Sequence, residues 1–372
     1  YKNGSEAGAY FTVIANPSLK WETQISTDIA LEFGLFDRLT GTIEYFKKDS
    51  KDLLFDVSQP ASVGVTSIIQ NIGKVTNSGV EIELDYNAFK NKDWSVSVGA
   101  NATFVKNKIK NLPATMKENG YISGSKKWLE GKSIYEFWLR QWHGVDPQTG
   151  DGLYVADVSK YNQGNIGTGD GNITQSQFDE YKKTVVTIDG KELTNSYTYA
   201  KYDFSGSSIP DVYGGFNVRV SYKNFDLAAV FSYQLGGQIL DTNYATMMSM
   251  TEFGYAQSPD LLKAWKQAGD ITEVPRIDNS AAHTTNIGQS YSTRWLTSSD
   301  YLNLRSVTIG YQLPKTWLSK VMLKSARLNL TAENLFMLKA RQGLNPMANY
   351  SGVTYNEYMP SRNITLGLNV SF

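Results

Sequence analysis

Apolar and polar side chains alternate without a break over residues 363–372. A period of two places every apolar side chain on one face of a β-strand and every polar side chain on the other. The alternation ends on an aromatic residue, Phe372. Strands of a membrane β-barrel have this pattern because one face meets lipid and aromatic rings favour the interface. The pattern therefore predicts a strand of such a barrel.

The same alternation recurs along most of the chain. It is interrupted by short polar turns, as expected for antiparallel hairpins. Two weaker segments, 134–145 and 153–157, are also predicted as strands, which brings the expected number to about eleven. The stronger predicted strands are 21–36, 39–46, 80–86, 94–104, the hairpin 216–235, the pair 301–313 and 326–335, and 363–372.

The connections between these strands alternate in length. Bacterial barrels have short turns on the periplasmic side and long loops outside, so the long segments are predicted to be extracellular. An odd number of strands leaves an open edge in the membrane, so another part must complete the barrel. Short turns are predicted near residues 37, 90, 148, 223 and 316, and long loops near 53–74, 108–132, 158–210, 238–298 and 337–359.

Composition narrows the class of protein. The 36 basic and 36 acidic residues balance, which argues against nucleic-acid binding. The absence of cysteine excludes disulfides, thiol nucleophiles and thiolate metal sites. No apolar run is long enough for a transmembrane helix. A polar average with 13% aromatic residues fits a barrel with polar loops and a polar lumen.

Five segments, taken in order and spacing, resemble the C-terminal half of SusC/RagA-like TonB-dependent transporters. The resemblance extends over nearly all of the chain. The segments are Asn16-Pro17-Ser18-Leu19-Lys20-Trp21-Glu22, Gly144-Val145-Asp146-Pro147-Gln148-Thr149-Gly150, Tyr301-Leu302-Asn303-Leu304-Arg305 with Leu313-Pro314, Glu333-Asn334-Leu335-Phe336, and the terminal aromatic strand.

The resemblance implies an all-β, transmembrane antiparallel β-barrel in the cell outer membrane. Residues 1–372 would form the C-terminal half of a roughly 22-stranded barrel, without the plug and the N-terminal strands. The implied function is active import of glycan oligosaccharides, with a SusD-like surface lipoprotein as partner and with TonB acting through the N-terminal part. A peptide importer of the same architecture and a passive porin or surface-binding barrel are the alternatives.

Charged residues on the polar face of the predicted strands are candidates for the lumen wall. Three carboxylates at alternate positions of one strand could be imagined as glycosidase acids, but a ladder on one face does not flank a single bond. They are expected to pair across strands with residues such as Lys106 or Arg219. The predicted lumen set is Asp28, Glu32, Glu44, Glu81, Glu83, Asp85, Arg219 and Asp226.

Aromatic residues fall into two groups. One group lies near strand ends on the apolar face and is predicted to form the interfacial girdle: Trp94, Tyr86, Phe225, Tyr233 and Tyr311. The other lies in long loops, where rings either stack on ligands or simply pack the loops together. The candidates for ligand contact are Tyr291, Trp295, Tyr350, Tyr355 and Tyr358.

The loop sequence Asp170-Gly171-Asn172-Ile173-Thr174 suggests a weak calcium candidate, with ligands at Asp170, Asn172 and Thr174. Gln177 stands where a bidentate Glu would be needed, so an ordinary glycine-rich loop is the competing interpretation. No other cofactor is expected.

No enzyme is predicted. The two histidines, His143 and His283, lie far apart in sequence, and no phosphate loop or nucleophile elbow occurs. One short amphipathic helix is predicted at Ser258–Ala268, with Ser258 as N-cap and with Leu261, Leu262 and Trp265 on one face. It would be covered by neighbouring loops or by the lipoprotein.

Overall fold

The computed structural model describes residues 14–372 and strands β1 and β2, apart from residues 60, 72, 114–115, 251–253, 255, 288–290, 320–321 and 356. None of the described helices is both long enough and apolar enough to cross a membrane. The strands are β1 (Lys2–Asn3), β2 (Glu6–Ala7), β3 (Thr23–Leu35), β4 (Leu39–Lys51), β5 (Leu54–Ser58), β6 (Ser67–Asn71), β7 (Lys74–Lys90), β8 (Trp94–Asn111), β9 (Tyr121–Ser123), β10 (Lys126–Trp128), β11 (Glu136–Arg140), β12 (Trp142–Val145), β13 (Gly152–Val155), β14 (Val185–Ile188), β15 (Lys191–Thr194), β16 (Tyr202–Ser207), β17 (Val212–Tyr222), β18 (Phe225–Leu235), β19 (Gln238–Leu240), β20 (Leu296–Ser298), β21 (Tyr301–Gln312), β22 (Ser325–Glu333), β23 (Met337–Lys339) and β24 (Asn363–Ser371). The α-helices are α1 (Gln175–Thr184), α2 (Thr242–Met247), α3 (Ala281–Ile287) and α4 (Lys315–Leu318).

A ten-stranded sheet, called here the main sheet, dominates the fold. Its order is β24-β22-β21-β18-β17-β8-β7-β4-β3, and β23 pairs with β21. Every pairing in it is antiparallel, which confirms the predicted architecture. In the part of the chain that the structure describes, β24 and β3 are the open ends of this order.

Side chains of the main sheet separate into an apolar and a polar face, because the register aligns like with like across strands. One apolar row runs through Leu84, Ala100, Phe216 and Phe231. Along β8 the apolar face runs from Trp94 to residue 104. That is about 33 Å at ~3.3 Å per residue, or about 25 Å across a membrane after a tilt of ~40°. The row beside it is polar and contains Glu32, Thr42, Glu83, Asn101, Gly215, Ser232 and Asn303.

Aromatic rings line the apolar face at its short-turn end. The register aligns Trp94, Tyr222, Phe225 and Tyr311 in one row. Two pairs within it are in ring contact, with centroids 4.4 Å apart for Trp94 and Tyr222 and 4.3 Å apart for Phe225 and Tyr311. Tyr233 lies towards the other end of β18, where its hydroxyl donates to the carbonyl oxygen of Asn101 at 3.0 Å. Three of the five predicted girdle residues therefore share one row, whereas Tyr86, which aligns with Val98, and Tyr233 lie in other rows.

The connections of the main sheet alternate strictly between its two ends. Turns at 36–38, 91–93 and 223–224 and the link 313–324 lie at one end. The link contains α4. The long connections 52–73, 112–211, 236–300 and 334–362 lie at the other end. The predicted alternation in length thus holds for the strands of the main sheet.

One part of the strand prediction is wrong. The segments 134–145 and 153–157 do form strands, but they belong to two separate four-stranded sheets, β16-β11-β10-β9 and β12-β13-β15-β14. They cannot enter the main sheet because β8 pairs directly with β17. The loops predicted at 108–132 and 158–210 are therefore parts of a single excursion, and the turn near 148 lies at the long-loop end.

At the long-loop end of the main sheet, the otherwise polar face carries apolar residues. Val75 and Ile109 are buried there against Leu112 and Met116 of the long excursion. Since Ile109 is only 1% exposed, the loop must cover the inner side of the sheet. The excursion that begins at 112 therefore folds over the polar face.

The segment 16–22 anchors the hairpin of β5 and β6. The side chain of Asn71 accepts from the backbone N–H of Lys20 and donates to its carbonyl oxygen, both at 2.8 Å, and it also donates to Asp52 O at 2.6 Å. Glu22 accepts from the N–H of Leu54 at 2.7 Å. We call this arrangement, formed by residues 16–22 and Asn71, the Asn71 clasp. It fixes an exposed loop by pairing backbone groups that no strand partner satisfies.

Candidate functional site: a polar pocket among the long loops

Three long connections share one apolar core, which holds the loop assembly together. The first of these, the connection 112–211, contributes Phe137 and Leu139 of β11. The second, 236–300, contributes Leu240 and Trp295, and the third, 334–362, contributes Val353. Phe137, Leu139 and Leu240 are completely buried. Since a buried core residue packs on all sides, these loops form a folded unit and not a set of independent segments.

The turn at 144–150 docks the second loop onto the first. The indole N–H of Trp265 and the backbone N–H of Gly269 both donate to the carbonyl oxygen of Pro147, at 2.9 and 2.8 Å. Gly150 has a φ of +73°, and a Cβ there would lie 2.5 Å from the Trp265 ring. Glycine is therefore needed at 150 both for the backbone conformation and for contact with the indole.

The helix predicted at Ser258–Ala268 is shorter than expected. The structure has a 3₁₀ turn at Pro259–Lys263, and Ser258 accepts from the N–H of Asp260 as its cap. Leu261 is buried at 7% exposure but Leu262 is 79% exposed, so the predicted shared apolar face is wrong. The reason is that Trp265 follows the turn and is held by Pro147, outside any helical register.

Between these loops lies a pocket of about 640 Å³, called here the polar pocket. Its walls come from three stretches that are far apart in sequence: residue 151, residues 184–198 and residues 276–286. Most lining groups are hydroxyls, amides and charged side chains. They are Asp151, Thr184, Asn195, Ser196, Tyr197, Thr198, Arg276, Ser280, Ala281, Ala282, His283 and Asn286.

Asp151 is the centre of the charged side of the pocket. It accepts from Arg276 Nε at 3.1 Å, and Asn195 Nδ2 donates to its other oxygen at 3.2 Å. Arg276 also pairs with Asp278, with Nη1 2.8 Å from Oδ2. His283 is buried, its Nε2 lies 2.8 Å from the carbonyl oxygen of Arg276, and its Nδ1 lies 3.9 Å from Asp151 Oδ1. The arginine is thus neutralised by two carboxylates before any ligand arrives.

Asn286 of α3 connects the floor of the pocket to strand β13 and to the 3₁₀ turn at Tyr197–Tyr199. Its side-chain oxygen accepts from the N–H of Tyr197 at 2.6 Å, and its amide donates to Gly152 O at 3.2 Å. Its own carbonyl oxygen accepts from the hydroxyl of Tyr154 at 2.7 Å. Burial raises the pKa of Tyr154 to about 12, so this hydroxyl keeps its proton. The floor of the pocket is rigid because each of these polar groups has a partner.

The chemistry of the pocket favours a polar ligand without strong charge. Charged groups that are already paired do not select an ion, whereas hydroxyls and amides exchange hydrogen bonds with a neutral ligand. The sequence did not point to these residues, apart from the turn that precedes Asp151. The missing information was the fold of the loops, which brings Asp151 and Arg276 together across 125 residues.

The predicted ligand-contacting aromatics lie in different environments. Trp295 is 2% exposed within the loop core, so the prediction of ligand contact is wrong for this residue, and the packing alternative applies. The Tyr350 ring is about half-exposed and contacts the Tyr135 ring at 5.1 Å, edge to face. Tyr291 is 41% exposed. None of the three lines the polar pocket.

Tyr355 and Tyr358 are 69% and 94% exposed. Both are held through their backbones, since the N–H of Tyr355 donates to Glu357 and the carbonyl oxygen of Tyr358 accepts from Asn345. Their rings remain free for contact with another molecule. Ligand contact by Tyr291, Tyr350, Tyr355 and Tyr358 stays a prediction.

All eight predicted lumen residues lie on the polar face of the main sheet. The register aligns Glu44 with Glu81 and Asp226 with Ser221, and Arg219 with Ser97. Lys106 is different, because it follows Thr103 by three positions and therefore lies on the opposite face. The prediction that Lys106 pairs with the carboxylates of β7 is wrong for this geometric reason.

The calcium candidate lies just before α1. The hydroxyl of Thr174 accepts from the N–H of Gln177 at 3.1 Å, and the Gln177 side chain accepts from the N–H of Thr174 at 2.8 Å. This reciprocal capping box begins the helix. Asp170 and Asn172 lie in the exposed loop before it. Across the described residues, no group of three or more His, Cys, Asp and Glu side chains is arranged to hold a metal ion.

Comparison with known proteins supports the fold. Residues 1–172 match the family described as TonB dependent receptor-like, beta-barrel. The chain is 29% identical to TonB-dependent receptor P3 of Formosa agariphila over 98% of its length, and 24% identical to TonB-dependent receptor SusC of Bacteroides thetaiotaomicron over 96%. It covers only 36% and 32% of those two proteins.

Solved structures agree with this assignment. The chain superposes over its full length on the RagAB peptide transporter, with a TM-score of 0.77, 25% identity and 38% coverage of that chain. A RagAB peptide importer in the closed-closed state gives a TM-score of 0.78. The predicted resemblance is therefore confirmed: the chain is similar over nearly all of its length to SusC- and RagA-type β-barrels of TonB-dependent receptors, which places it in the outer membrane.

Proposed function

We propose that this chain is the C-terminal part of the barrel of a TonB-dependent active importer, which takes up glycan oligosaccharides together with a SusD-like surface lipoprotein. Its matches cover nearly all of the chain but about a third of each relative. The plug, the remaining strands and the segment that contacts TonB would belong to the rest of such a protein.

The observation that carries the glycan assignment is the neutralised charge of the polar pocket. Arg276 is held between Asp151 and Asp278, so it does not offer a free cation to an acidic ligand. The other lining groups are hydroxyls and amides, which suit the hydroxyls of a sugar. Tyr197 adds an aromatic side chain to the same wall.

The path for the ligand would follow the polar face of the main sheet. The eight lumen residues named above lie on that face and would line the plug and the passage. Their role is to solvate and guide the ligand, because barrels of this class have a polar interior.

The lipoprotein would cover the exposed apolar residues of the second long loop. Leu262, Ile271 and Ile277 are 79%, 94% and 66% exposed. Contiguous exposed apolar patches mark interaction surfaces, and Leu262 and Ile277 line the same surface pocket. Closure of the lipoprotein over this loop would trap the ligand before it enters the lumen.

Uptake of labelled oligosaccharides by cells is the direct test. The full-length outer-membrane protein is expressed with its neighbouring lipoprotein, with and without a functional TonB. Active import requires uptake that depends on both. Uptake that persists without TonB would instead indicate a passive porin and would contradict the proposal.

Peptide import is the second candidate, since the chain superposes over its full length on a peptide transporter. Competition separates the two. Excess unlabelled oligosaccharide should block uptake if glycans are the substrate, whereas excess mixed peptide should block it if peptides are.

The contribution of the polar pocket is tested by Asn195→Ala, which removes one amide from its wall. Binding of the oligosaccharide, measured by calorimetry on the purified complex, should weaken about five- to tenfold, as expected for the loss of a hydrogen bond of ~1 kcal/mol. Lys191→Ala, at an exposed site on the neighbouring strand β15, is the control and should bind normally. Equal binding by Asn195→Ala would place the ligand elsewhere.

A further inference from the structure

Lysine side chains cluster on the lipid-facing side of the main sheet, just beyond its apolar band at the long-loop end. On β8 the apolar face ends at Phe104, and Lys106 and Lys108 follow on the same face, both exposed. On β4, two strands away, Tyr45 is followed in the same way by Lys47. The step from the apolar row to the first lysines is two residues, or about 7 Å along the strand. The cations therefore lie at the level where hydrocarbon gives way to lipid headgroups.

The register places two of these lysines on either side of one small residue. Lys47 aligns with Ser78 of β7 from one side, and Lys106 aligns with it from the other. The two lysine backbones are two strand spacings apart, or about 10 Å, so both long side chains can bend towards one group above Ser78. Thr27 of β3 continues the row. The row thus offers two ammonium groups and two hydroxyls, all of which can donate to phosphate oxygens, and it contains no carboxylate.

One carboxylate in the next row does not neutralise the cluster. Asp49 Oδ2 lies 2.8 Å from Lys74 Nζ and 3.5 Å from Lys47 Nζ. Within the part of the chain that the structure describes, Lys106 and Lys108 form no ion pair. Four lysines therefore face one carboxylate. We call Lys47, Lys74, Lys106 and Lys108 the lysine patch.

The surroundings of the lysine patch distinguish a lipid from other anions. Tyr45 and Phe104, in the row below it, are 45% and 43% exposed on the face that meets the membrane. A free anion would use only the ammonium groups. An anionic lipid places its phosphate at the ammonium groups while its acyl chains cover both rings, so it uses the charged and the apolar parts together.

We propose that the lysine patch binds an anionic, phosphate-bearing lipid of the outer leaflet. The phosphate lies between Lys47 and Lys106 above Ser78, and the acyl chains run along Tyr45 and Phe104. The site is on the outside of the barrel, on the opposite face of the sheet from the lumen residues. It does not depend on which substrate the barrel transports.

Native mass spectrometry of the full-length outer-membrane protein in mild detergent tests this site. The protein is exposed to an equimolar mixture of phosphatidylglycerol, which is anionic, and phosphatidylcholine, which has no net charge, with the same acyl chains. The wild type should retain phosphatidylglycerol in several-fold excess. Lys106→Gln should lower that excess about two- to fivefold, as expected for one lysine near a charged membrane surface. The double variant Lys47→Gln/Lys106→Gln should abolish the excess, and Lys106→Arg should keep it.

Lys48→Gln is the matched control. It removes the same charge from the next residue of β4, which aligns with Asn77 on the polar face, and it should retain lipids like the wild type. Equal retention of both lipids by the wild type, or an equal loss of preference in Lys48→Gln, would overturn the site.

Two further outcomes would assign the lysine patch to a different occupant. An excess of inorganic phosphate should leave phosphatidylglycerol bound, because free phosphate cannot use the apolar part of the site. Full displacement by inorganic phosphate would indicate a site for soluble anions and would contradict the proposal. Loss of the co-purified lipoprotein from the double variant, with an unchanged lipid preference, would indicate a protein partner and would also contradict it.

Discussion

Arg327 of β22 donates from Nη2 to Oδ2 of Asp226 of β18 at 2.6 Å, across a strand that contains neither residue. The strand between them is β21, and Gly310 aligns with Asp226 there. A Cβ at Gly310 would lie 2.6 Å from the Asp226 carboxylate and would also meet the Arg327 guanidinium. The glycine thus leaves the space through which the ion pair forms on the polar face.

We expect Gly310→Ala to break this ion pair. The methyl group would displace the flexible ends of both side chains, and the cost should be up to about 1 kcal/mol, as for the loss of a partly exposed ion pair. The free energy of unfolding, measured by denaturant titration of protein folded into lipid vesicles, reports the change. Gly34→Ala is the matched control, because it also lies on the polar face and its added Cβ would have no atom within 4 Å. Equal stability of the two variants would contradict the bridging role of Gly310.

The Asn71 clasp predicts a local effect. Asn71→Ala removes three hydrogen bonds to Lys20 and Asp52, so the hairpin of β5 and β6 should open more often. Hydrogen exchange of residues 52–73 should accelerate by an amount that corresponds to ~1–3 kcal/mol. Gln70→Ala, on the adjacent residue, leaves these bonds in place and should exchange like the wild type. Unchanged protection in Asn71→Ala would mean that the clasp does not hold the hairpin.

Gly150→Ala should undock the second loop from the first. Its φ of +73° disfavours alanine, and the Cβ would collide with Trp265. Faster hydrogen exchange is expected at residues 146–151 and 264–276, while the main sheet stays protected. Leu262→Ala is the control in the same loop, since this side chain is 79% exposed. Protection that is unaltered in Gly150→Ala would show that the contact with Trp265 is dispensable.

Lys126 should make the loop assembly sensitive to pH. It is 8% exposed, its Nζ donates to Tyr135 O at 2.9 Å and to Ser208 Oγ at 3.1 Å, and it lies 3.5 Å from the centroid of Phe137. Burial lowers the pKa of Lys126 to about 7, from 10.5, although Glu136 opposes the shift. Between pH 7 and pH 10.5, the side chain of Lys126 binds more protons in the unfolded chain than in the folded one. Stability should therefore rise as pH increases from 7 to 10 and should be insensitive to this group below 7.

Lys126→Met tests the predicted rise of stability with pH. The variant should show a smaller gain in melting temperature between pH 7 and pH 9 than the wild type. Lys127→Met is the neighbouring control, because Lys127 is only partly buried. A wild-type melting temperature that falls over the same range, with no difference in Lys126→Met, would contradict the assignment.

Replacement of Trp295 should lower the stability of the loops, whereas replacement of Tyr358 should not. Trp295→Ala removes a fully packed ring from the loop core and should destabilise the loops by about 3–5 kcal/mol. Tyr358→Ala should leave stability unchanged, because that ring is 94% exposed. Thermal unfolding followed by tryptophan fluorescence and by proteolysis of the loops distinguishes them. Similar losses from both variants would contradict the buried position of Trp295.

The strands of the main sheet were predictable because the alternation of neighbouring residues determines their polar and apolar faces. A period of two in residues 80–86 or 363–372 separates polar from apolar side chains whatever the strand pairs with. Short turns at 37 and 223 likewise follow from a few neighbouring residues. The eight polar residues were placed on one face by the same argument.

The sheet membership of 134–145 was not predictable in this way. Phe137 and Leu139 alternate with partly exposed residues as a barrel strand would, but they face a core made by Trp295 and Val353. The same period of two describes a strand against lipid and a strand against protein. Only the pairing of β8 with β17 decides between them.

The sequence by itself therefore determined the fold class, the orientation of faces and the sides on which turns and loops lie, because each depends on side chains a few residues apart. The tertiary structure decided which aromatics are buried and that Asp151, Arg276 and His283 share one pocket. Those facts depend on contacts between loops more than a hundred residues apart, and local periodicity carries no information about such contacts.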